Sequence, residues 1–175
     1  MRLMLALADG FEEIEAMVPL DILRRLSVGV EIVGVNDEIA TSKNGVKILC
    51  DRSIDEVKSE DFDGIILPGG SPGYKNLGRS QKLKNIINDL NGRGKLIAAI
   101  CASPTILAEM NLLNDKKATC YPTLKDKIPN YVDEKVVVDK NIITSKGPGT
   151  AIDFGLAIAE YLGLDTTEIK KALLV

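Results

Sequence analysis

No histidine occurs among the 175 residues. That absence removes the Cys-His and Ser-His pairs of many nucleophilic enzymes, and a second copy of the chain would not restore them. Histidine metal sites go the same way. Any general base must be a carboxylate, a tyrosine, a lysine, a thiolate or water. Cysteine is scarce too: three residues, an odd number, in apolar or strand-like contexts and without a CxxC pair. This argues against a disulfide framework and against zinc. An excess of positive charge is also missing. Lysine and arginine total 22 against 25 acidic residues, a net charge of -3, and the densest basic spots (Arg24-Arg25, Lys116-Lys117, Lys170-Lys171) are pairs. A nucleic-acid partner would need a basic face. No run approaches the ~20 apolar residues of a membrane span. The opening "MRLMLALADGFEEIE" is too short in its apolar stretch for a signal peptide. The expectation is a cytoplasmic protein with neither a nucleic acid nor a membrane as partner.

What is present is the mixture of an ordinary folded domain, 45% hydrophobic and 27% charged, with enough length for one domain, residues 1–175, and a real core. Apolar β-branched runs alternate with helical patterns. Strands are expected at 2–8, 30–36, 62–70 and 95–101, with a strand or hairpin arm at 45–54 and a hairpin over 134–145 turning at Asp139-Lys140-Asn141. Helices are expected from Phe11 to Leu26, over 80–91, from Pro104 to Met110, over 150–163 with Thr150 as cap and Asp153 three residues on, and from Thr166. Continuous apolar strands separated by helices predict an α/β three-layer sandwich, a mostly parallel sheet with helices on both faces. Sites in such folds gather at the carboxyl ends of the strands. Four segments follow strands there: Ala8 to Phe11, Pro68 to Gly73, Cys101 to Pro104 and Lys146 to Thr150.

Cys101 closes the apolar run of "AAICASPT". Small residues follow it, and Pro104 suits the first turn of a helix. That is the layout of a nucleophile elbow, with the sulfur near a helix N-terminus that favours a thiolate. A small residue sealing a strand end reads the same way, because cysteine is among the most buried residue types. Glu15 adds to the first alternative. At about 100° per residue, Phe11, Pro19, Ile22 and Leu26 fall within about 40° of it. Glu15 thus stands in the apolar stripe, where desolvation raises its pKa and lets a protonated carboxyl donate to a thiolate. A rotated helix, or Glu15 reaching a sheet edge, is the alternative. In "ILPGGSPG", Gly69 and Gly70 allow close backbone approach. The N–H of Gly70 with that of Ala102 could form an oxyanion hole, or the glycines could simply turn the chain. "SKGPGT" (145–150) could cradle an anion or turn the chain.

Together "ADGFEEIEAMVPLDILRR", "ILPGG", "AAICASPTILAE", "YPTLKDKIPN" and "ITSKGPGTAIDFGLAIAE" resemble the ThiJ/PfpI family, in the branch of the human parkinsonism-associated deglycase and its bacterial counterparts. The likeness runs nearly end to end. It implies a flavodoxin-like homodimer in which Cys101 is the reactive, oxidisable nucleophile and Glu15 its protonated partner. Gly70 and Ala102 would be the backbone donors, with Gly69, Tyr121, Arg25 and Pro148 as further pocket candidates. The activity implied is a cofactor-free conversion of small α-oxoaldehydes to hydroxy acids, with repair of early glycation adducts and redox sensing also ascribed to the branch. Two departures stand out. Tyr121 occupies the position of a histidine in the human member. Ala102 occupies the position where protease members carry the histidine of a Cys-His pair, which argues against a peptidase. Tyr121 could hold a substrate oxygen or be a rim residue. Arg25 could bind an anion or lie along the surface. Cys50 and Cys120 read as structural. A flavodoxin-like binding module with Cys101 as packing is the remaining alternative, although no clear phosphate loop is present.

Overall fold

The computed structural model describes residues 1–175. In chain order its elements are β1 (Arg2–Leu7), α1 (Glu13–Arg25), β2 (Gly29–Gly34), β3 (Ile39–Thr41), β4 (Lys47–Leu49), β5 (Arg52–Ser53), β6 (Gly64–Leu67), α2 (Gly73–Arg79), α3 (Gln81–Gly92), β7 (Leu96–Ile100), α4 (Pro104–Glu109), β8 (Val136–Asp139), β9 (Ile142–Ser145), α5 (Ala151–Tyr161) and α6 (Thr167–Leu173). Seven strands form one sheet in the order β5-β2-β1-β6-β7-β9-β8, and β3 with β4 forms a separate hairpin. All pairings in the large sheet are parallel except β8 with β9.

The strand sequences explain the three layers. Along β1, Leu3, Leu5 and Leu7 enter one apolar cluster while Met4, Ala6 and Ala8 enter the other. β7 divides likewise, Ile97 and Ala99 to one side, Leu96, Ala98 and Ile100 to the other. A strand buried on both faces needs apolar residues at every position, as the sequence shows. Helices α1 and α5 cover the first face with Leu20, Leu23, Phe154 and Ile158. Helices α2, α3 and α4 cover the second with Leu77, Leu83, Ile87, Leu90 and Leu107. Truncating such a side chain, as in Leu5→Ala, costs about 2–5 kcal/mol. No helix is long and apolar enough to cross a membrane.

The structure departs from the sequence reading in three places. The stretch 45–54 is split: β4 pairs with β3, and β5 is a two-residue edge strand on β2. Residues 73–79, to which the sequence pattern assigned no element, form α2. Thr150 does not cap α5 with its side chain. Its Oγ1 instead donates to the carbonyl of Gly147 at 2.9 Å and lies 2.6 Å from Ser145 Oγ. It therefore fastens the 146–150 loop.

The chain leaves β1 toward β2 on one side and returns to β6 on the other. The carboxyl ends of β1, β6, β7 and β9 consequently open onto one crevice.

Candidate active site

Cys101 directly follows β7 and has φ of +65°, a left-handed conformation that costs a residue with a side chain about 1–2 kcal/mol. Three bonds hold it there. Its N–H donates to the Ser145 carbonyl at 2.9 Å, its carbonyl accepts from the N–H of Tyr121 at 2.8 Å, and Ser103 Oγ donates to the Pro68 carbonyl at 2.6 Å. The neighbouring Ser103 is fully buried, so that side of the bend has no room for a larger residue, while Ala102 borders the cavity. The sulfur stands up from the strand end into the crevice.

Glu15, in the first turn of α1, is fully buried. Its Oε2 accepts the N–H of Gly69 at 2.8 Å, while Oε1 has no hydrogen-bond partner of ordinary geometry. Burial pushes its carboxyl from 4.5 up to about 7, against the lowering effects of the Cys101 thiol and the Gly69 N–H. Burial also pushes the Cys101 thiol up, and an ionised Glu15 pushes it further, whereas the N–H groups of Gly70 and Ala102 lower it. Two adjacent buried acids that repel in this way carry at most one negative charge near neutrality. A proton on Glu15 removes its repulsion and turns its contact with the sulfur into a donated hydrogen bond. The helix N-terminus contributes less than the elbow pattern suggests. The N–H of Ser103 is spent on Ile100 and that of Thr105 on Ala102, which leaves the N–H of Ala102 for the sulfur.

The glycines are required by contact. A Cβ on Gly69 would lie 2.5 Å from Glu15 Oε2 and 2.7 Å from Cys101 Cβ. Gly70 has φ of +92°, and its Cβ would lie 2.4 Å from the backbone nitrogen of Glu12. Across the crevice, a Cβ on Gly147 would stand 3.9 Å from both Cys101 Sγ and Glu15 Oε1. The loop that Thr150 fastens thus closes over the pair.

Glu15, Gly70, Cys101 and Ala102 line a cavity of 370 Å³ with Glu12, Lys43, Ser71, Tyr74, Tyr121, Thr123, Leu124 and Pro148. The structure therefore brings Cys101, Glu15, Gly70, Ala102, Tyr121 and Pro148 together in the cavity, whereas Gly69, expected in the pocket, is not among its lining residues and instead packs against Glu15 and Cys101. Tyr121 stands at the rim, 43% exposed. Arg25 is a correction to the sequence reading: it is not part of the cavity, and its guanidinium pairs with Asp21 at 2.8 Å on the surface of α1. Cys50 and Cys120 are buried outside the site. Lys43, Glu12, Tyr74 and Leu124 escaped the sequence reading. Lys43 arrives on the β3–β4 turn, its N–H bonded to the Phe11 carbonyl at 2.9 Å and its Nζ 2.9 Å from Glu12. Nothing local in "TSKNG" signals that journey. A larger open cleft of 710 Å³ beside Asp9, Asp37, Glu38 and Lys47 contains no cysteine.

A model of the DJ-1/PfpI family matches residues 1–161. The chain belongs to that family. It is 43% identical over 176 residues to Protein dj-1beta of Drosophila melanogaster, covering 97% of this chain and 94% of the relative. It is 38% identical over 158 residues to the glutathione-independent glyoxalase DJR-1.2 of Caenorhabditis elegans, covering 88% of this chain and 84% of the relative. The solved structure of oxidised Toxoplasma gondii DJ-1 superposes with a TM-score of 0.95 at 37% identity, over 99% of this chain and 97% of that one. The DJ-1/PfpI assignment agrees with the fold expected from the strand pattern.

Proposed function

We propose that the chain is a cysteine-dependent enzyme that needs no cofactor and converts small α-oxoaldehydes such as methylglyoxal and glyoxal to 2-hydroxy acids. The observation that carries this reading is the buried Glu15 carboxyl, poised at about 7 beside a cysteine raised on a strained elbow. A group titrating near ambient pH serves as both acid and base in one cycle. The glyoxalase relative supports it.

The Cys101 thiolate adds to the aldehyde carbon. A carbon–sulfur bond forms, and the carbonyl electron pair moves to oxygen, which accepts hydrogen bonds from the N–H groups of Gly70 and Ala102 and a proton from Glu15. Ionised Glu15 then removes the proton from that carbon and returns it to the neighbouring one. The first hydroxyl passes its own proton to the neighbouring carbonyl oxygen as this happens, which leaves a thioester beside a new hydroxyl. Water cleaves the thioester, releases the hydroxy acid and frees the sulfur. Repair of early glycation adducts would draw on the same chemistry. A homodimer in the cytoplasm is the setting this reading carries with it.

The test is incubation of pure protein with methylglyoxal, without glutathione, and assay of lactate beside Cys101→Ala. Lactate from the intact protein alone is the expected result. Lactate from neither rejects the reading.

A second reading, redox sensing, rests on the sulfur of Cys101 reaching the cavity while Cys50 and Cys120 are buried. Peroxide followed by intact mass and peptide mapping should place two added oxygen atoms on Cys101 alone.

A further inference from the structure

Tyr74 borders two spaces, the active-site cavity and a neighbour. A second groove of 250 Å³ shares that residue and is lined by Lys75, Gly78, Arg79, Thr105, Ile106, Glu109 and Lys127. The three segments that wall the cavity also wall the groove. Tyr74 on α2 is followed by Lys75 and Arg79. Ala102 is followed by Thr105 and Ile106 on α4, and Leu124 by Lys127 on the short 3₁₀ turn over 122–127. The groove therefore lies beside the cavity across Tyr74, displaced from it by one helical turn or two, roughly 5–11 Å.

Its charge is unlike that of the rest of the surface. Fourteen of the 22 lysines and arginines are paired with a carboxylate, in a chain of net charge -3. Lys75, Arg79 and Lys127 are three of the eight that are not, and all three converge here against one carboxylate, Glu109. Lys75 Nζ also lies 5.9 Å from the ring of Tyr74, so the residue shared by the two spaces carries a cation on its groove side.

We propose that this groove is an anion subsite of the active site, taking a phosphate group that the substrate carries one to two helical turns from its reactive carbonyl. The favoured substrates are then α-oxoaldehydes with a phosphate-bearing tail rather than methylglyoxal itself. The inference rests on the oxoaldehyde reading of Cys101. Arg79 offers a planar fork suited to phosphate oxygens, and the two lysines add point charges.

Two arms keep the subsite separate from the catalytic reading. In the first, kcat/KM is measured for an α-oxoaldehyde of about five carbons ending in phosphate, for the same chain ending in hydroxyl, and for methylglyoxal. Wild type should prefer the phosphate-ended chain by about tenfold, the scale of two or three exposed charge contacts. The double variant Arg79→Gln, Lys127→Gln should lose that preference and keep its methylglyoxal rate. Methylglyoxal turnover with no preference for phosphate overturns the subsite and leaves the function standing. In the second arm, calorimetry compares binding of the unreactive 1,2-diols of the two chains. Tighter binding of the phosphate-ended diol to wild type, lost in the double variant and at high salt, supports the subsite even where no turnover is found. Equal binding overturns it.

Discussion

The N–H of Gly69 donates to Glu15 Oε2 at 2.8 Å, and that bond decides which carboxyl oxygen is left for Cys101. Oε1 remains without an ordinary partner in a buried place. An oxygen so placed gains from holding a proton and from handing it to the neighbouring sulfur or to a substrate atom that replaces it.

Glu15→Gln separates those two tasks. The amide oxygen can still accept from Gly69 and the amide nitrogen can still donate to a thiolate, but no proton can be carried. Turnover of methylglyoxal should fall about 100- to 10,000-fold, the usual worth of a general acid–base. Alkylation of Cys101 by iodoacetamide should persist. Undiminished turnover would remove Glu15 from the chemistry.

Stability should also report the carboxyl. Burial raises it from 4.5 in the unfolded chain to about 7 in the fold. The folded state thus holds this proton more tightly, and its contribution is full below the lower value and lost as pH rises through the higher one. A difference of that size is worth about 3 kcal/mol. Glu15→Gln has no such loss. Between about pH 5 and about pH 8 its stability relative to wild type should improve by up to about 3 kcal/mol, read by urea denaturation at both values. A constant difference would show an ordinary carboxyl.

Gly69 and Gly147 flank the same pair and should respond oppositely to alanine. The Gly69→Ala methyl would fall 2.5 Å from Glu15 Oε2. We expect a loss of about 1–3 kcal/mol in stability and of nearly all turnover. The Gly147→Ala methyl meets nothing closer than Tyr121 Cδ2 at 3.4 Å. That variant should fold normally, raise KM and slow alkylation of Cys101. Thermal melts with steady-state kinetics distinguish the two.

Lys43 and Glu12 tune the pair from the cavity wall. The charge of Lys43 holds the Glu15 carboxyl down, and that of Glu12 pushes it up. Lys43→Met should therefore move the acid limb of the kcat/KM profile to higher pH, and Glu12→Gln should move it to lower pH. Shifts of the same sign would show that the ion pair acts through loop position instead.

The sequence made the sheet and the central pair readable for particular physical reasons. Leu3, Leu5 and Leu7 alternating with Met4, Ala6 and Ala8 can only be a strand buried on both faces. Glu15 is legible because a charge within an apolar stripe breaks its pattern. Cys101 is legible because proline and small residues punctuate the bend. Lys43 left no such mark: its place depends on a hairpin folding back onto Phe11, a contact 32 residues apart in the chain, and helical phase carries no information about that. Arg25 misled for the converse reason. An arginine near the end of α1 finds its partner one turn away at Asp21, so its position on the helix says little about the cavity. Thr150 matched a capping pattern, yet its hydroxyl had a nearer task in the 146–150 loop.

Two of the three bonds that steady the sulfur run from main chain to main chain: Ser145 and Tyr121 grip the peptide of Cys101 through their backbone carbonyl and N–H. Drift at Tyr121, Thr123 or Leu124 would consequently redraw what enters the cavity while leaving the nucleophile where it stands. A lineage built on this arrangement can exchange substrates cheaply over generations and still inherit one unchanged piece of chemistry.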